Sequence, residues 1–243
     1  MGKNLVFLPE CHSTNTVALE LIQNGGAQEG TLVITEHQTS GRGQRGNQWA
    51  SEKGQNLTFS FILNPRFLAP KDQFMLGKAI SLGLHDFVSR VLPQDFVQVK
   101  WPNDLIVNGR KVSGVLIENQ LSGSLYESAV VGIGLNVNQL EFPVPTAASL
   151  STFAHHRLDL DELLDELCLL LEQRYQQLKR GDWDSLNKDY LNVLYWFREE
   201  HTFFSKSENF VGVIEGVDEI GRLLVRVGAE MRTFDLKEIL YIQ

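Results

Sequence analysis

Leu105-Ile-Val-Asn-Gly-Arg-Lys-Val-Ser-Gly-Val-Leu-Ile-Glu118 consists of two apolar runs joined at Asn108-Gly109. Asn-Gly supplies the two left-handed residues of a type I′ turn, whose twist matches the flanking strands, so the stretch predicts a tight antiparallel hairpin. Before it, Phe96 to Lys100 alternates as a strand and breaks at Trp101-Pro-Asn-Asp104, because Pro102 has no N–H for a ladder bond. After it, a turn at Ser122-Gly123 returns the chain through Tyr126 to Val131 and into Gly132-Ile-Gly-Leu-Asn136. Upstream, Leu57 to Leu63 reads as a strand. From Asp72 to Leu92, Phe74, Met75, Leu76, Ile80, Leu84, Phe87, Val88 and Val91 recur at helical spacing until Pro93 ends the segment. A strand, a long helix and then a meander of strands predict an α+β fold with a mixed, largely antiparallel sheet.

Toward the N-terminus, Asn4 to Leu8 and Thr31 to Ile34 read as short strands. Between them, Val17, Ala18, Leu21 and Ile22 follow Ser13-Thr-Asn15 at helical spacing, with Ser13 or Thr14 as N-cap. Such hydroxyls and free N–H groups cap a helix, and they also suit a polar ligand. Toward the C-terminus, Leu160, Leu163, Leu164, Leu167, Leu170 and Leu171 predict an amphipathic helix to about Lys179, and a second helix runs from Asp184 through Tyr195. Beyond Phe203-Phe204 the chain becomes short strands (Val211 to Val217, Leu223 to Val227, Phe234 to Ile242) with tight turns, which predict a small β-barrel. The expected domains are residues 1–200 and 201–243.

The 243 residues carry a net charge of −8, which disfavours a general nucleic-acid binder. Cys11 and Cys168 match no metal or redox spacing and read as thiols of a reducing compartment. With no apolar run near the roughly 18 residues that cross a bilayer and no signal-peptide pattern, a cytoplasmic protein is expected. His155-His156 has no third ligand at metal spacing, and Cys11-His12 are neighbours whose side chains point to opposite faces of an extended segment.

Thr35 to Trp49 is the long connection, with Gly41, Gly43 and Gly46 interleaved with Arg42 and Arg45. Connections beyond about 12–15 residues are functional or disordered. Glycines let backbone N–H groups approach a ligand, and guanidiniums suit carboxylate or phosphate oxygens. Each cation alone reads as a solvated surface charge. Arg42, Arg45, Lys100 and Lys111, however, all flank strand ends beside glycine, with Asp104 near two of them as a hydrogen-bond anchor or metal-shell carboxylate. Such a group suits attack of a carboxylate on the α-phosphorus of ATP: two anions must meet, several cations and Mg²⁺ offset their repulsion, and no protein nucleophile is needed. No Walker P-loop occurs.

Ser13-Thr-Asn15, Gln38, Gly41-Arg-Gly-Gln-Arg-Gly46 with Trp49, Lys100-Trp-Pro-Asn-Asp104, Lys111-Val-Ser-Gly114 and Gly132-Ile-Gly-Leu-Asn136 follow one another in that order. Together they resemble the biotin protein ligase family over most of residues 13–138; Gly216-Val-Asp218 and Gly221-Arg-Leu resemble its last domain less sharply. The resemblance implies a class II tRNA-synthetase-like catalytic domain and a C-terminal SH3-like barrel. It implies that Ser13, Thr14, Asn15 and Gln38 bind the biotin ureido ring, with Gly114 alongside, and that Arg42, Gly43 and Gln44 lie in a loop that orders over biotin and the adenylate. Lys111 would contact the biotin carboxylate and the α-phosphate, with Arg42 and Lys100 as further catalytic cations. Gly41, Arg45, Trp49, Lys100, Asn103, Asp104 and Asn136 would hold the nucleotide, Asn136 at its Mg²⁺ end.

ATP and Mg²⁺ would be co-substrate and metal, biotin the substrate, and a lysine of a biotin carboxyl carrier protein the acceptor of biotin from biotinyl-5′-AMP. No prosthetic group, nucleic acid or membrane is expected, and the chain would be a monomer or weak homodimer. The Ser-Thr-Asn segment begins at residue 13, leaving no room before it for the helix-turn-helix that some members carry. Gln44 and Asn47 stand where the family often has arginine. Two other readings are a lipoate or octanoate ligase or transferase of the same superfamily, disfavoured by the Lys-Trp-Pro-Asn-Asp and Gly-Arg-Gly segments, and a binding module built on the barrel.

Overall fold

The structure, a computed structural model, describes residues 1–122 and 125–242, apart from the side chains of Arg45, Ser122 and Leu125. Seven strands form the main sheet: β1 (Asn4–Leu8), β2 (Thr31–Thr35), β3 (Leu57–Leu63), β4 (Val97–Lys100), β5 (Asp104–Val107), β6 (Arg110–Ser122) and β7 (Leu125–Leu135). Their spatial order is β1-β2-β3-β7-β6-β5-β4, and only β1–β2 is parallel, so the α+β fold with a mixed, largely antiparallel sheet is as expected. Asn108 (φ 48°) and Gly109 (φ 80°) both take the left-handed region that a type I′ turn requires, and Val107 pairs with Arg110 across them. The turn expected at Ser122-Gly123 falls on Gly123, outside the described residues. The Trp101–Pro102 peptide between β4 and β5 is cis.

Strand periodicity gives the sheet two unlike faces. Leu57, Phe59, Phe61 and Leu63 of β3 and Val131, Ile133 and Leu135 of β7 pack into the main core, beneath α2 (Gln73–Val91) and α4 (Leu160–Lys179). These helices approach closely at Gly83, where a Cβ would meet the Leu171 Cα at 3.0 Å. Arg174 of α4 ties the layer together, donating to Asp86 of α2 at 2.6 Å and to Asp189 of α5 (Trp183–Asn192) at 2.7 Å. On the other face, α1 (Thr14–Gln23) covers part of the sheet through Ala18 against Val33, Ile62 and Val130. The short helix α3 (Leu150–Ala154) follows the main sheet. No helix among the described residues is long and apolar enough to cross a membrane, and both cysteines are free.

Three expectations are corrected. The second C-terminal helix ends at Asn192, short of Tyr195, because Leu194 forms a bridge to Val99 and Tyr195 donates to the Val99 carbonyl. The run from Phe234 to Ile242 is not one strand, for it divides into the end of β11 (Glu230–Phe234) and a two-residue β12 (Leu240–Tyr241). Most important, the SH3-like barrel is not formed. β8 (Glu200–Ser205), β9 (Glu208–Val217), β10 (Leu223–Val227), β11 and β12 make an open antiparallel sheet in the order β11-β10-β9-β8-β12. Among the described residues β11 and β12 do not pair, so the sheet does not close. The physical reason lies in the short final strand: it pairs only with β8, and residues 236–242 run out along the main cavity. The open sheet is continuous with the core of the main sheet, since Phe203, Ile214, Leu223 and Val225 join the same buried cluster as the main-sheet residues.

Candidate active site

The part of the sheet that α1 leaves uncovered is the floor of a cavity of about 760 Å³. Its concavity comes from small residues at alternate positions on neighbouring strands. On β7, a Cβ at Gly132 would lie 2.0 Å from the Asn15 Oδ1, and one at Gly134 2.2 Å from the Trp49 ring. On β6, a Cβ at Gly114 would meet the Trp49 ring at 3.3 Å and the Lys111 Nζ at 3.4 Å. Glycine at 132 and 134 is therefore a demand for space, which lets the start of α1 and the Trp49 indole sit directly on the backbone.

At the α1 end the polar groups form one connected set. Ser13 occupies the N-cap position in extended conformation, and its side chain makes no capping bond. The Thr14 backbone N–H donates to Gln38 Oε1 at 2.7 Å, and the Thr14 hydroxyl donates to the same oxygen at 3.2 Å. Ser60 Oγ donates to Asn15 Oδ1 at 2.6 Å and lies 2.7 Å from Thr14 Oγ1. The Asn15 amide donates to Glu118 at 2.8 Å, and the other Glu118 oxygen accepts from Arg42 at 2.6 Å. Glu118 thus links this cluster to the arginine-glycine loop.

That loop is folded. Gly43 N–H donates to the Asn47 carbonyl at 2.7 Å, Trp49 N–H to the Gly41 carbonyl at 2.9 Å, and Gln44–Gly46 is a 3₁₀ turn between them. Gly41 is the pivot, because a Cβ there would fall 2.2 Å from the Trp49 carbonyl oxygen.

At the far end, Lys111 Nζ lies 2.7 Å from Asp104 Oδ1 and 5.8 Å from the Trp49 ring centroid. Lys100 makes no hydrogen bond or ion pair among the described residues, and its ammonium lies over the rings of Tyr241 at 4.5 Å and Tyr195 at 6.0 Å. Burial holds its pKa below the ordinary lysine value; the Asp104 carboxylate raises it and the Lys111 charge lowers it further. Trp101 donates from its indole to the Gly221 carbonyl at 2.9 Å, which ties the corner between β4 and β5 to the C-terminal sheet.

Among the sequence-derived residues, Ser13, Thr14, Asn15, Gln38, Arg42, Gly43, Gln44, Trp49, Lys100, Asn103, Asp104, Lys111 and Gly114 line this one cavity. Gly41, within the loop, is not one of the lining residues. Asn136 does not line the cavity: its amide donates to the Ala148 carbonyl at 3.0 Å, and its Oδ1 is buried without a partner. The Arg45 side chain lies outside the described residues. Sequence reading missed Ser60, Glu118 and the stretch from Leu236 to Ile242. Glu118 carried a signal, since it shares the strand face of Gly114 two pairs further along, where an apolar side chain is the rule. His155 and His156 are exposed, as expected.

The model of the biotin/lipoate A/B protein ligase family matches residues 8–136. The bifunctional ligase/repressor BirA of Bacillus subtilis is 30% identical over 233 residues, covering 93% of this chain and 70% of that protein. The biotin–[acetyl-CoA-carboxylase] ligase of Paracoccus denitrificans is 27% identical over 241 residues, covering 96% and 99%. In three dimensions the chain superposes on the biotin protein ligase from Aquifex aeolicus in complex with biotin and ATP with a TM-score of 0.80, at 27% identity and 98% coverage of both chains.

Proposed function

The chain belongs to the biotin/lipoate A/B protein ligase family, and from that premise we propose that it is an ATP-dependent biotin protein ligase that makes biotinyl-5′-AMP and passes biotin to a lysine of a biotin carboxyl carrier protein. The observation that carries this reading is the cavity itself. A buried polar cluster able to hold a small heterocycle lies at one end, four cations (Arg42, Lys100, Lys111 and Lys237) line the remainder, and no nucleophile is required between them.

In the first step a biotin carboxylate oxygen attacks the α-phosphorus of ATP. The new bond is an acyl–phosphate anhydride, the bond to the β-phosphate oxygen breaks, and pyrophosphate leaves. What the protein must supply is position and positive charge where two anions converge. Ser13, Thr14 and Gln38, with Asn15 held behind them, fix the ring. Lys111, steered by Asp104, stands between carboxylate and α-phosphate; Arg42 approaches from the loop and Lys100 from the nucleotide end. In the second step the acceptor amine attacks the acyl carbon, AMP leaves, and the amine loses a proton. Gly43 and Gln44 cover the mixed anhydride meanwhile, keeping water from it.

Mg²⁺ would arrive with the phosphates and neutralise part of their charge. Asp104 is the carboxylate lining the cavity and fits that cation, whereas Asn136, turned to Ala148, fits it less well. Residues 1–200 carry this chemistry, and 201–243 add one wall. A lipoate ligase would share the fold, but the Paracoccus denitrificans and Aquifex aeolicus proteins named above are biotin ligases. The test is transfer: with ATP, Mg²⁺ and biotin, an apo carrier protein should gain the mass of one biotinyl group on its acceptor lysine. No gain with biotin, or an equal gain with octanoate, would contradict the reading.

A further inference from the structure

Four described cations line the cavity, Arg42, Lys100, Lys111 and Lys237, and the three nearest the walls at Trp49 and residues 100–104 are not equivalent. Arg42 and Lys111 each already hold a carboxylate, Glu118 at 2.6 Å and Asp104 at 2.7 Å. To meet a phosphate they must share or leave it. Lys100 has no such partner among the described residues, so its charge is available to an incoming triphosphate without breaking an ion pair. A long, flexible ammonium with no hydrogen bond needs something else to hold it in place.

What holds it comes from the other end of the chain. Tyr241 lies in β12 opposite Phe203, and its ring packs against Tyr195, Trp196 and Phe203 at centroid distances of 6.2, 5.2 and 5.4 Å. Tyr195 is itself fixed beside β4 by its bond to the Val99 carbonyl, one residue before Lys100. The Tyr241 ring therefore cannot swing away, and it presents its face to the ammonium at 4.5 Å. A cation over an aromatic face is attracted by the ring quadrupole and is not neutralised by it, as it would be by a carboxylate.

We propose that Tyr241 of the C-terminal sheet is the positioning residue for Lys100, aiming an unneutralised cation at the triphosphate of ATP. The open end of the sheet has a task on this account: β12 leaves β11 unpaired so that Tyr241 can reach the catalytic strand. The proposal rests on the ligase reading of the cavity.

The experiment measures KM for ATP and kcat in biotin-dependent pyrophosphate exchange, with biotin Kd by calorimetry, for Tyr241→Phe, Tyr241→Leu, Lys100→Met and the Lys100→Met/Tyr241→Leu double variant. Phe keeps the ring face, so Tyr241→Phe should stay within about twofold of wild type. Tyr241→Leu should raise KM for ATP about tenfold, which corresponds to roughly 1.4 kcal/mol, with biotin Kd unchanged. Acting through Lys100, it should add nothing further in the Lys100→Met background. An unchanged KM in Tyr241→Leu, the same rise in both backgrounds, or loss of biotin binding in Tyr241→Leu would overturn the assignment. Absence of biotin-dependent exchange in the wild type would refute the ligase reading itself and the proposal with it.

Discussion

Gly132→Ala tests the construction of the site most economically, because it adds one methyl group and replaces none of the proposed site's polar side chains. Gly132 sits in the ladder between Ser60 and Leu116, without positive φ, so alanine suits the backbone there. The cost is one of space alone. The new Cβ would lie 2.0 Å from Asn15 Oδ1 and 2.9 Å from its Cγ, so the carboxamide must move.

It is held by Ser60 at 2.6 Å and by Glu118 at 2.8 Å. Losing a neutral hydrogen bond costs about 0.5–1.5 kcal/mol and a charge-assisted one about 1.5–3, so displacement should cost about 2–4 kcal/mol. Part would appear as lost stability in urea unfolding and part as weakened biotin binding by calorimetry. Gly77→Ala on α2 is the control: its Cβ meets nothing nearer than 4.0 Å, and alanine in a helix interior should stabilise by about 0.5–1 kcal/mol. In an Asn15→Ala background the Gly132→Ala penalty should fall by more than about 1 kcal/mol, since the clash is gone. A Gly132→Ala protein within about 0.5 kcal/mol of wild type in stability and unchanged in biotin affinity would refute the reasoning.

Lys111→Ala should fold normally and lose about 2–4 kcal/mol of barrier lowering in single-turnover adenylate formation; a rate within threefold of wild type would remove Lys111 from the chemistry. Gln44 lines the cavity at the start of the 3₁₀ turn and offers an anion only a neutral amide where a guanidinium could pair with it bidentately. Gln44→Arg should slow release of pre-formed biotinyl-5′-AMP about tenfold, or roughly 1.4 kcal/mol, while changing the adenylation rate less; an unchanged off-rate would show that the loop is already closed by other means. Lys78 is buried between Phe74 and Tyr190 with Asn187 accepting at 2.7 Å, and burial pushes its pKa down to about 8. Below pH 8 both folded and unfolded chains carry its proton and the cost of the buried charge is present in full. Above pH 8 the folded chain loses that proton first, so the cost fades toward pH 10.5. Lys78→Met should therefore stabilise the protein by about 1–3 kcal/mol at pH 7 and by less at pH 9.5 in urea titrations, and a loss of stability at pH 7 would count against it.

Much of this was legible because the signals are local. Asn108-Gly109 dictates its hairpin through backbone sterics alone, and the α2 periodicity runs long enough to settle its type. Lys100, Asp104, Lys111 and the arginine-glycine loop stood out because they lie near strand ends or beside glycines, and Ser13-Thr-Asn15 because it opens a helix. Glu118 did not, for although it shares the strand face of Gly114, its partner Asn15 lies 103 positions away and no local pattern connects the two. Tyr241 was hidden for the same reason: its partner Lys100 belongs to a different sheet. The barrel expectation failed because strand propensity is local and closure is not. Five short strands and tight turns do not say whether the last strand pairs with β11 or departs for the cavity.

The central claim is that this cavity activates the carboxylate of biotin with ATP, and isotope exchange between pyrophosphate and ATP reports that step without any carrier protein. The account predicts exchange that requires biotin, is not supported by lipoate or octanoate, and falls with Lys111→Ala. Exchange that proceeds equally with octanoate, or none at all with saturating biotin and ATP, would contradict it.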